Sequence, residues 1–127
     1  MQNKLLKVLF KRPFRTPTNE LHNEFRLFKV EDIYRMNILK FVYSSVTKQS
    51  IDQFHGYYKF QRTIHDHDTR QQTLLYWKRP RTSFGDNMIK HVGATLWNSL
   101  DPAIHTSKSI HIFKRLVKNS LSSKYIQ

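Results

Sequence analysis

EDIYRMNILKFVYSSV, residues 31–46, places apolar side chains on almost every side of a helix. One side carries Ile33, Met36, Leu39, Tyr43 and Val46. The other sides are filled mostly by Tyr34, Ile38, Phe41 and Val42. A helix that is apolar nearly all round belongs in the interior of a protein. This stretch therefore predicts a buried central helix, with Met36, Leu39 and Tyr43 packed together.

A basic helix is predicted at the start of the chain, over residues 2–11. Its charged stripe consists of Lys4, Lys7 and Lys11. Its apolar base consists of Leu5, Leu6, Leu9 and Phe10. The spacing is that of an amphipathic helix, so the apolar base is expected to pack and the lysines to stay in water.

Two prolines separate this helix from the next one. Pro13 and Pro17 interrupt the first helix because proline lacks the backbone N–H that a helix interior needs. Thr18 or Asn19 then caps a short helix that runs to about residue 28. A second break is expected near Lys29.

The last helix is predicted from SIHIFKRLVKNSL, residues 109–121, with Ser107 or Ser109 as its cap. Its apolar arc contains Ile110, Ile112, Phe113, Leu116, Val117 and Leu121. Its charged arc contains Lys108, His111, Lys114, Arg115 and Lys118. One face is expected to pack against the rest of the fold and the other to face solvent.

The middle of the chain predicts short strands and loops. Residues 47–70 are polar and rich in turn signals around Gly56, and residues 73–85 mix β-branched and aromatic residues with Pro80 and Gly85. NMIKHVG, residues 87–93, predicts a strand closed by Gly93. ATLWNSL, residues 94–100, predicts a short helix with Trp97 turned inward. The predicted class is α+β, with mostly helical terminal segments around a short-stranded, loop-rich middle.

Charge is the strongest functional signal in the sequence. The chain has 22 Lys and Arg against 9 Asp and Glu, a formal charge of +13. Such a field attracts polyanions, so RNA or DNA is the leading class of partner. No cysteine is present, which excludes disulfides and cysteine zinc fingers and favours a reducing, intracellular compartment. No apolar run is long enough for a membrane span.

HDHDTRQ, residues 65–71, is the stretch most suggestive of catalysis. In an extended strand His65 and His67 share one face and could hold one ion together. Zinc needs three or four ligands, however, and no other candidate is spaced to complete the set. Asp66 and Asp68 share the other face with Arg70, which favours local charge compensation over acid–base catalysis. No metal, catalytic residue or cofactor is therefore predicted.

Other enzyme signatures are absent from the sequence. It has no glycine-rich phosphate loop, no Gly-x-Ser-x-Gly elbow and no His-Glu-x-x-His helix. The adjacent acids Glu31 and Asp32 stand at the predicted start of a helix, where carboxylates complement the helix dipole.

YWKRPRTSF, residues 76–84, combines Lys78, Arg79 and Arg81 with aromatic side chains. Cations neutralise phosphates while exposed rings stack on unpaired bases, a combination found in single-strand and RNA binders. In the alternative, Trp77 and Phe84 belong to the core and only the cations face solvent.

Three segments in this order resemble the C-terminal end of a jockey-like non-LTR (LINE-type) retrotransposon reverse transcriptase. They are MQNKLLKVLFKRPFRTPTNEL…LFKVEDIYRMNILKFVY, HDHDTRQ and FGDNMIKHVGATLWNSLDPAI…SIHIFKRLVKNSL. The most specific elements are His65, Thr69 and Arg70, then Gly93, Trp97, Asn98, Leu100 and Ile104, then Phe113 and Lys114. The resemblance spans nearly all of the chain.

The resemblance implies a thumb-like helical segment over residues 1–46 and a tail segment over residues 47–127. It also implies an RNA-directed DNA polymerase of which this stretch lacks the catalytic palm, since the aromatic-x-Asp-Asp turn does not occur. By this resemblance, residues 65–71 form a structural connector, in which Arg70 either anchors the segment or contacts nucleic acid. His67 departs from the family pattern, which expects an aromatic or variable residue there.

These observations predict a nucleic-acid-binding fragment that is not an enzyme on its own and that acts in a nuclear or cytoplasmic nucleoprotein. The expected partners are RNA or DNA through their phosphates, together with the remainder of the polymerase, and no membrane. The predicted contacts are Lys4, Lys7, Lys11, Arg12, Arg15, Arg70, Lys78, Arg79, Arg81, Lys114, Arg115 and Lys118. The alternatives are a decayed or mis-predicted gene fragment without a role of its own, and a small metal-dependent hydrolase using His65 and His67.

Overall fold

The computed structural model describes residues 1–64 and 74–123. Its helices are α1 (Gln2–Leu9), α2 (Thr18–Glu24), α3 (Val30–Val46), α4 (Gln61–Ile64), α5 (Ser83–Asp86), α6 (Ile89–Asn98), α7 (Pro102–His105) and α8 (Ile110–Ser122). A 3₁₀ turn covers Asp52–Phe54, and two strands, β1 (Lys59–Phe60) and β2 (Leu75–Tyr76), pair antiparallel. The predicted α+β class is confirmed, with helices dominating.

The predicted central helix is confirmed as α3. Leu39, Val42 and Tyr43 are buried in the main hydrophobic cluster, and Met36 packs against this cluster from a half-buried position. The first turns differ from the prediction, because Ile33 and Tyr34 are exposed. Asp32 is buried in the first turn, the other buried residues of α3 lie between Ile38 and Ser45, and α6 and α8 are the elements that contact this helix most.

The last helix is confirmed as α8. The Ser109 side chain accepts a hydrogen bond from the Ile112 backbone N–H at 3.3 Å, which caps the helix as predicted. Phe113 is fully buried and its ring stacks on Tyr43 with centroids 4.5 Å apart. The inward position of Trp97 is also confirmed, since its ring lies 5.8 Å from that of Phe113. Ile112 departs from the predicted apolar arc and is exposed.

The prediction of a strand over residues 87–93 is wrong, because residues 89–93 are helical. The helix predicted within residues 94–100 is confirmed for residues 94–98, where it continues the same helix, α6. Gly93 stands inside it because a side chain would not fit: a Cβ there would lie 2.3 Å from the Tyr58 hydroxyl and 2.8 Å from Val42 Cγ2. The glycine that suggests the end of a strand in sequence is therefore the point where α6 approaches α3.

Tyr58 completes this contact between α3 and α6. Its hydroxyl donates to the Ile89 carbonyl at 2.8 Å. Burial raises the pKa of the Tyr58 phenol well above its ordinary range, and the neighbouring Tyr57 adds to the rise. The phenol therefore stays protonated and able to donate this hydrogen bond far into alkaline pH.

The Asn98 side chain of α6 binds the backbone of β2. In the β1–β2 pair Phe60 faces Leu75 and Lys59 faces Tyr76. Asn98 binds both backbone groups of Leu75, accepting from its N–H at 2.8 Å and donating to its carbonyl at 3.0 Å. These two hydrogen bonds fix β2 at the end of α6.

The N-terminal helices are shorter than predicted. The first ends at Leu9, and the second starts after an N-cap Pro17 without a side-chain cap and ends at Glu24. The predicted break at Lys29 is confirmed, since Lys29 is the residue before α3. The apolar base of α1 is largely uncovered, because Leu6 is buried while Leu5 and Leu9 are exposed. Phe10, just beyond the helix, stacks on the ring of Phe25 with centroids 3.7 Å apart.

The main hydrophobic cluster takes residues from both predicted segments. Leu39 and Tyr43 come from residues 1–46, while Trp97, Phe113 and Val117 come from residues 47–127. The division at residue 46 stays a prediction. None of the helices in residues 1–64 and 74–123 has the length and apolar character to cross a membrane.

Candidate nucleic-acid interface

The predicted phosphate-binding residues fall into three groups along the chain. The N-terminal group is Lys4, Lys7, Lys11, Arg12 and Arg15, the α8 group is Lys114, Arg115 and Lys118, and the loop group is Lys78, Arg79 and Arg81. Lys7 and Lys114 are half-buried and the others are exposed. Arg70, the remaining predicted contact, lies outside the described residues.

Two cations of the N-terminal group are engaged within the protein. Lys7 Nζ donates to the Phe14 carbonyl at 2.7 Å. Arg12 forms an ion pair with Glu24, and its guanidinium lies 6.0 Å from the ring centre of Phe25. The charge of Arg12 is thus balanced locally, which lowers its value as a phosphate contact.

The other three cations of the group are open to solvent. Lys4, Lys11 and Arg15 are exposed and form no ion pair with a described carboxylate. Lys11 adopts φ 50°, the left-handed region that non-glycine residues seldom enter, as the chain turns after α1. These three residues are therefore the members of the N-terminal group whose charge is not balanced by a described carboxylate and is open to solvent.

A cleft of about 360 Å³ lies between the α2–α3 connection and the C-terminal half of α8. We call it the Phe28 cleft, lined by His22, Asn23, Arg26, Leu27, Phe28, Lys118, Asn119 and Ser122. Lys118 Nζ lies 5.8 Å from the ring centre of Phe28. Among the described residues, the lining offers two cations with amide and hydroxyl groups and no carboxylate, a combination suited to an anion such as phosphate.

The start of α1 holds the wall of the Phe28 cleft in place. The Gln2 side chain donates to the Phe28 carbonyl at 3.0 Å and accepts from the Val30 N–H at 3.1 Å. Buried His22 contacts the Leu27 carbonyl through Nδ1 at 2.9 Å and Asn3 Oδ1 through Nε2 at 3.2 Å. The two terminal regions of the chain therefore meet around Phe28.

Sequence reasoning missed Arg26 and Phe28. Arg26 lies two residues beyond the end of α2 with φ 52°, and its side chain is exposed at the Phe28 cleft. A signal was present in FRLF, residues 25–28, which mixes arginine with aromatic residues as residues 76–84 do. The contribution of Lys118 from the far end of the chain becomes visible only in the fold.

The α8 group stands on the solvent side of a helix whose other side is buried. Arg115 and Lys118 are exposed and Lys114 is half-buried, while Phe113 and Val117 are fully buried. The two faces predicted from sequence are thus separated in the structure. Charge on this helix can be changed without touching the core.

The segment that carries the loop group, residues 76–84, has aromatic side chains at different depths. Trp77 is half-buried against the hydrophobic cluster, whereas Phe84 is 80% exposed. The two alternatives drawn from sequence therefore each hold for one ring. Lys78, Arg79 and Arg81 are all exposed between them, so this loop offers cations and an accessible ring together.

The histidine stretch cannot be placed in this site. His65, His67 and Arg70 lie outside the described residues. Within residues 1–64 and 74–123, no three His, Cys, Asp or Glu side chains are grouped so that they could hold a metal ion.

Comparisons with protein-family models, with curated proteins and with solved structures gave no match for this chain.

Proposed function

We propose that this chain is a nucleic-acid-binding module, the C-terminal thumb-like and tail part of a reverse transcriptase of the non-LTR retrotransposon type. It would bind RNA or DNA by neutralising phosphates and would not polymerise DNA alone. The family assignment rests on the segment order given above. The aromatic-x-Asp-Asp turn that holds the catalytic magnesium ions in that family does not occur in these 127 residues.

The observation that carries the binding proposal is the net charge of +13 on a chain whose cations are mostly at the surface. A phosphate backbone releases condensed counterions when lysine and arginine replace them, and this release drives binding without regard to sequence. Phosphate contacts of this kind fix the position of the strand but read no bases.

The Phe28 cleft and the α8 group supply the first phosphate contacts in this proposal. Arg26 and Lys118 line one cleft, and Arg115 lies one turn before Lys118 on the same helix. The exposed cations Lys4 and Lys11 extend the positive surface from α1, whose first residues hold the cleft wall.

Filter binding over a range of salt concentrations tests the proposal. The logarithm of the affinity for single-stranded RNA, single-stranded DNA or a duplex should fall linearly with the logarithm of the salt concentration. An affinity that hardly changes between low and moderate salt would contradict a phosphate-driven mode of binding.

A pair of matched variants separates local contact from overall charge. The α8 variant loses three charges through the substitutions Lys114→Gln, Arg115→Gln and Lys118→Gln. The control variant loses three exposed charges elsewhere through Lys48→Gln, Lys59→Gln and Arg62→Gln. The salt slope should shrink by roughly 0.7 to 0.9 per lost contact in the α8 variant. The control should change it less. Equal slopes in both variants would show that net charge acts without contact at α8.

A further inference from the structure

A second pocket, of about 240 Å³, lies between the loop that follows β2 and the start of α6. We call it the Trp77 pocket, lined by Trp77, Lys78, Pro80, Met88, Lys90 and His91. Sites for drug-sized ligands commonly measure about 300 to 1,000 Å³. The Trp77 pocket is smaller, so its size suits one flat ring system with its substituents outside.

Two aromatic rings form walls of this pocket. The rings of Trp77 and His91 meet edge to face, with centroids 4.5 Å apart and planes at 78°. Trp77 is anchored by packing against the hydrophobic cluster, and His91 is held within α6. A flat ligand can therefore stack on an aromatic surface whose position is fixed before binding.

Cations flank the aromatic walls. Lys78 and Lys90 are both exposed, and Lys90 Nζ lies 5.2 Å from the ring centre of Tyr57. The carboxylate of Asp86 lies beside His91, with its Oδ1 3.9 Å from His91 Nε2. Asp86 is not among the lining residues, so the pocket itself favours a ligand that carries negative charge outside its ring.

His91 presents only part of its ring to the pocket. Its Nδ1 is buried and forms no hydrogen bond with a described residue. An atom that is closed to water is closed to a ligand as well, while the side chain as a whole is 20% exposed. His91 therefore contributes an aromatic surface to the pocket rather than a hydrogen-bonding atom.

The loop that closes the pocket has a defined shape. The Thr82 side chain accepts from the Gly85 N–H at 3.1 Å and caps α5. Gly85 approaches Pro80 so closely that a Cβ on Gly85 would lie 2.6 Å from the Pro80 Cβ. Exposed Phe84 projects from this same turn, next to a pocket whose rim includes the 51% exposed Met88.

We infer that the Trp77 pocket binds an unpaired nucleobase of a single-stranded nucleic acid, with the adjoining phosphates on Lys78 and Lys90. The inference rests on the proposed function and adds the form of nucleic acid that is preferred. Bases within a duplex are already stacked and paired, so only an unpaired base can enter the pocket. Stacking on aromatic side chains tolerates any base, because every base has a π-face.

The direct test compares a short thymidine strand with an abasic strand of the same length and the same number of phosphates. At one fixed salt concentration the protein should bind the strand with bases roughly five-fold to a hundred-fold more tightly, the range expected for one stacked base. If both strands bind equally, the inference is overturned while the proposed function stands. If neither strand binds at low salt, the proposed function fails and the inference with it.

Variants assign the preference to this pocket. Trp77→Leu should bring the ratio of the two affinities close to one. The control Phe14→Leu removes an aromatic side chain that is exposed elsewhere and should leave the ratio unchanged. An unchanged ratio in folded Trp77→Leu would overturn the inference.

Photocrosslinking of the unmodified protein keeps the test independent of how Trp77→Leu folds. A strand containing 5-bromouracil is irradiated with the protein, and the adducts are located by peptide mass spectrometry. Adducts should occur within residues 76–91. Adducts confined to α1 or α8 would place the bases elsewhere and overturn the inference.

Discussion

Helices α1 and α8 carry similar sequence patterns and end in different surroundings. Each sets a stripe of lysines against an apolar face. The apolar face of α8 is buried at Phe113, Val117 and Leu121, whereas on α1 Leu6 is buried and Leu5, Val8 and Leu9 are exposed. The difference in burial comes from the element that each helix packs against, since α8 packs along α3 while α1 has few contacts beyond α2. An amphipathic pattern thus predicts a helix, but the amount of burial depends on what lies opposite.

Phe113→Ala is expected to have the largest effect. Removing a fully buried ring that stacks on Tyr43 and Trp97 should lower the free energy of unfolding by about 3 to 5 kcal/mol. Urea denaturation measures this change. The control Ile112→Ala alters the neighbouring, exposed residue and should cost much less. Equal losses for the two variants would remove the distinction between the faces of α8.

Gly93→Ala tests the close approach of α6 to α3, in contrast to α1, whose contacts are mainly with α2. The added methyl group meets Tyr58 and Val42, so we expect a loss of about 1 to 3 kcal/mol although alanine favours helix more than glycine does. Lys90→Ala, at an exposed position of the same helix, is the control. Thermal unfolding at or above that of the parent in Gly93→Ala would contradict the packing.

Tyr58→Phe should cost about 0.5 to 1.5 kcal/mol near neutral pH through loss of the hydrogen bond to Ile89. The raised pKa of Tyr58 adds a pH dependence. The phenol of the unfolded chain ionises at about pH 10, while the folded protein keeps the Tyr58 proton. The contribution of Tyr58 to the free energy of unfolding is therefore fully present below this pH and decreases above it.

Denaturation between neutral and strongly alkaline pH checks this. Tyr58→Phe should lose stability less steeply in the alkaline range than the parent or the exposed control Tyr34→Phe. Parallel alkaline curves for all three proteins would show that Tyr58 does not contribute.

Leu9→Ala should have the smallest effect, within about 0.5 kcal/mol, because Leu9 is 64% exposed. Leu6→Ala in the same helix removes a buried side chain and should cost clearly more. A large loss at Leu9 would mean that the outer face of α1 is covered in solution, which would break the contrast with α8.

The sequence predicted the helices whose apolar pattern and caps agree with their burial. For α8, the Ser109 cap and the arc of Phe113 and Val117 are local features that the chain displays directly. The prediction for the first half of α6 was wrong, because a glycine commonly marks the end of regular structure. The presence of Gly93 within the helix is explained by Tyr58, which packs too closely to leave room for a side chain. Packing between distant segments overrode a local propensity.

The candidate interface was predictable in composition but not in arrangement. The cations were identified from sequence, and most are exposed. The local neutralisation of Arg12 by Glu24 and the approach of Lys118 to Phe28 depend on residues brought together by folding. Of the motif residues, Gly93 and Trp97 pack in the interior and Asn98 anchors a strand, so these three do not belong to the charged surface.

Asn98 has a consequence for how the protein meets other chains. By binding both the N–H and the carbonyl of Leu75, its amide takes the place that a further β-strand would occupy beside β2. An open sheet edge is a template for strand addition by another polypeptide and a common starting point for aggregation. At Leu75 that edge is already filled by a side chain from α6, so an incoming strand would first have to displace the end of the helix.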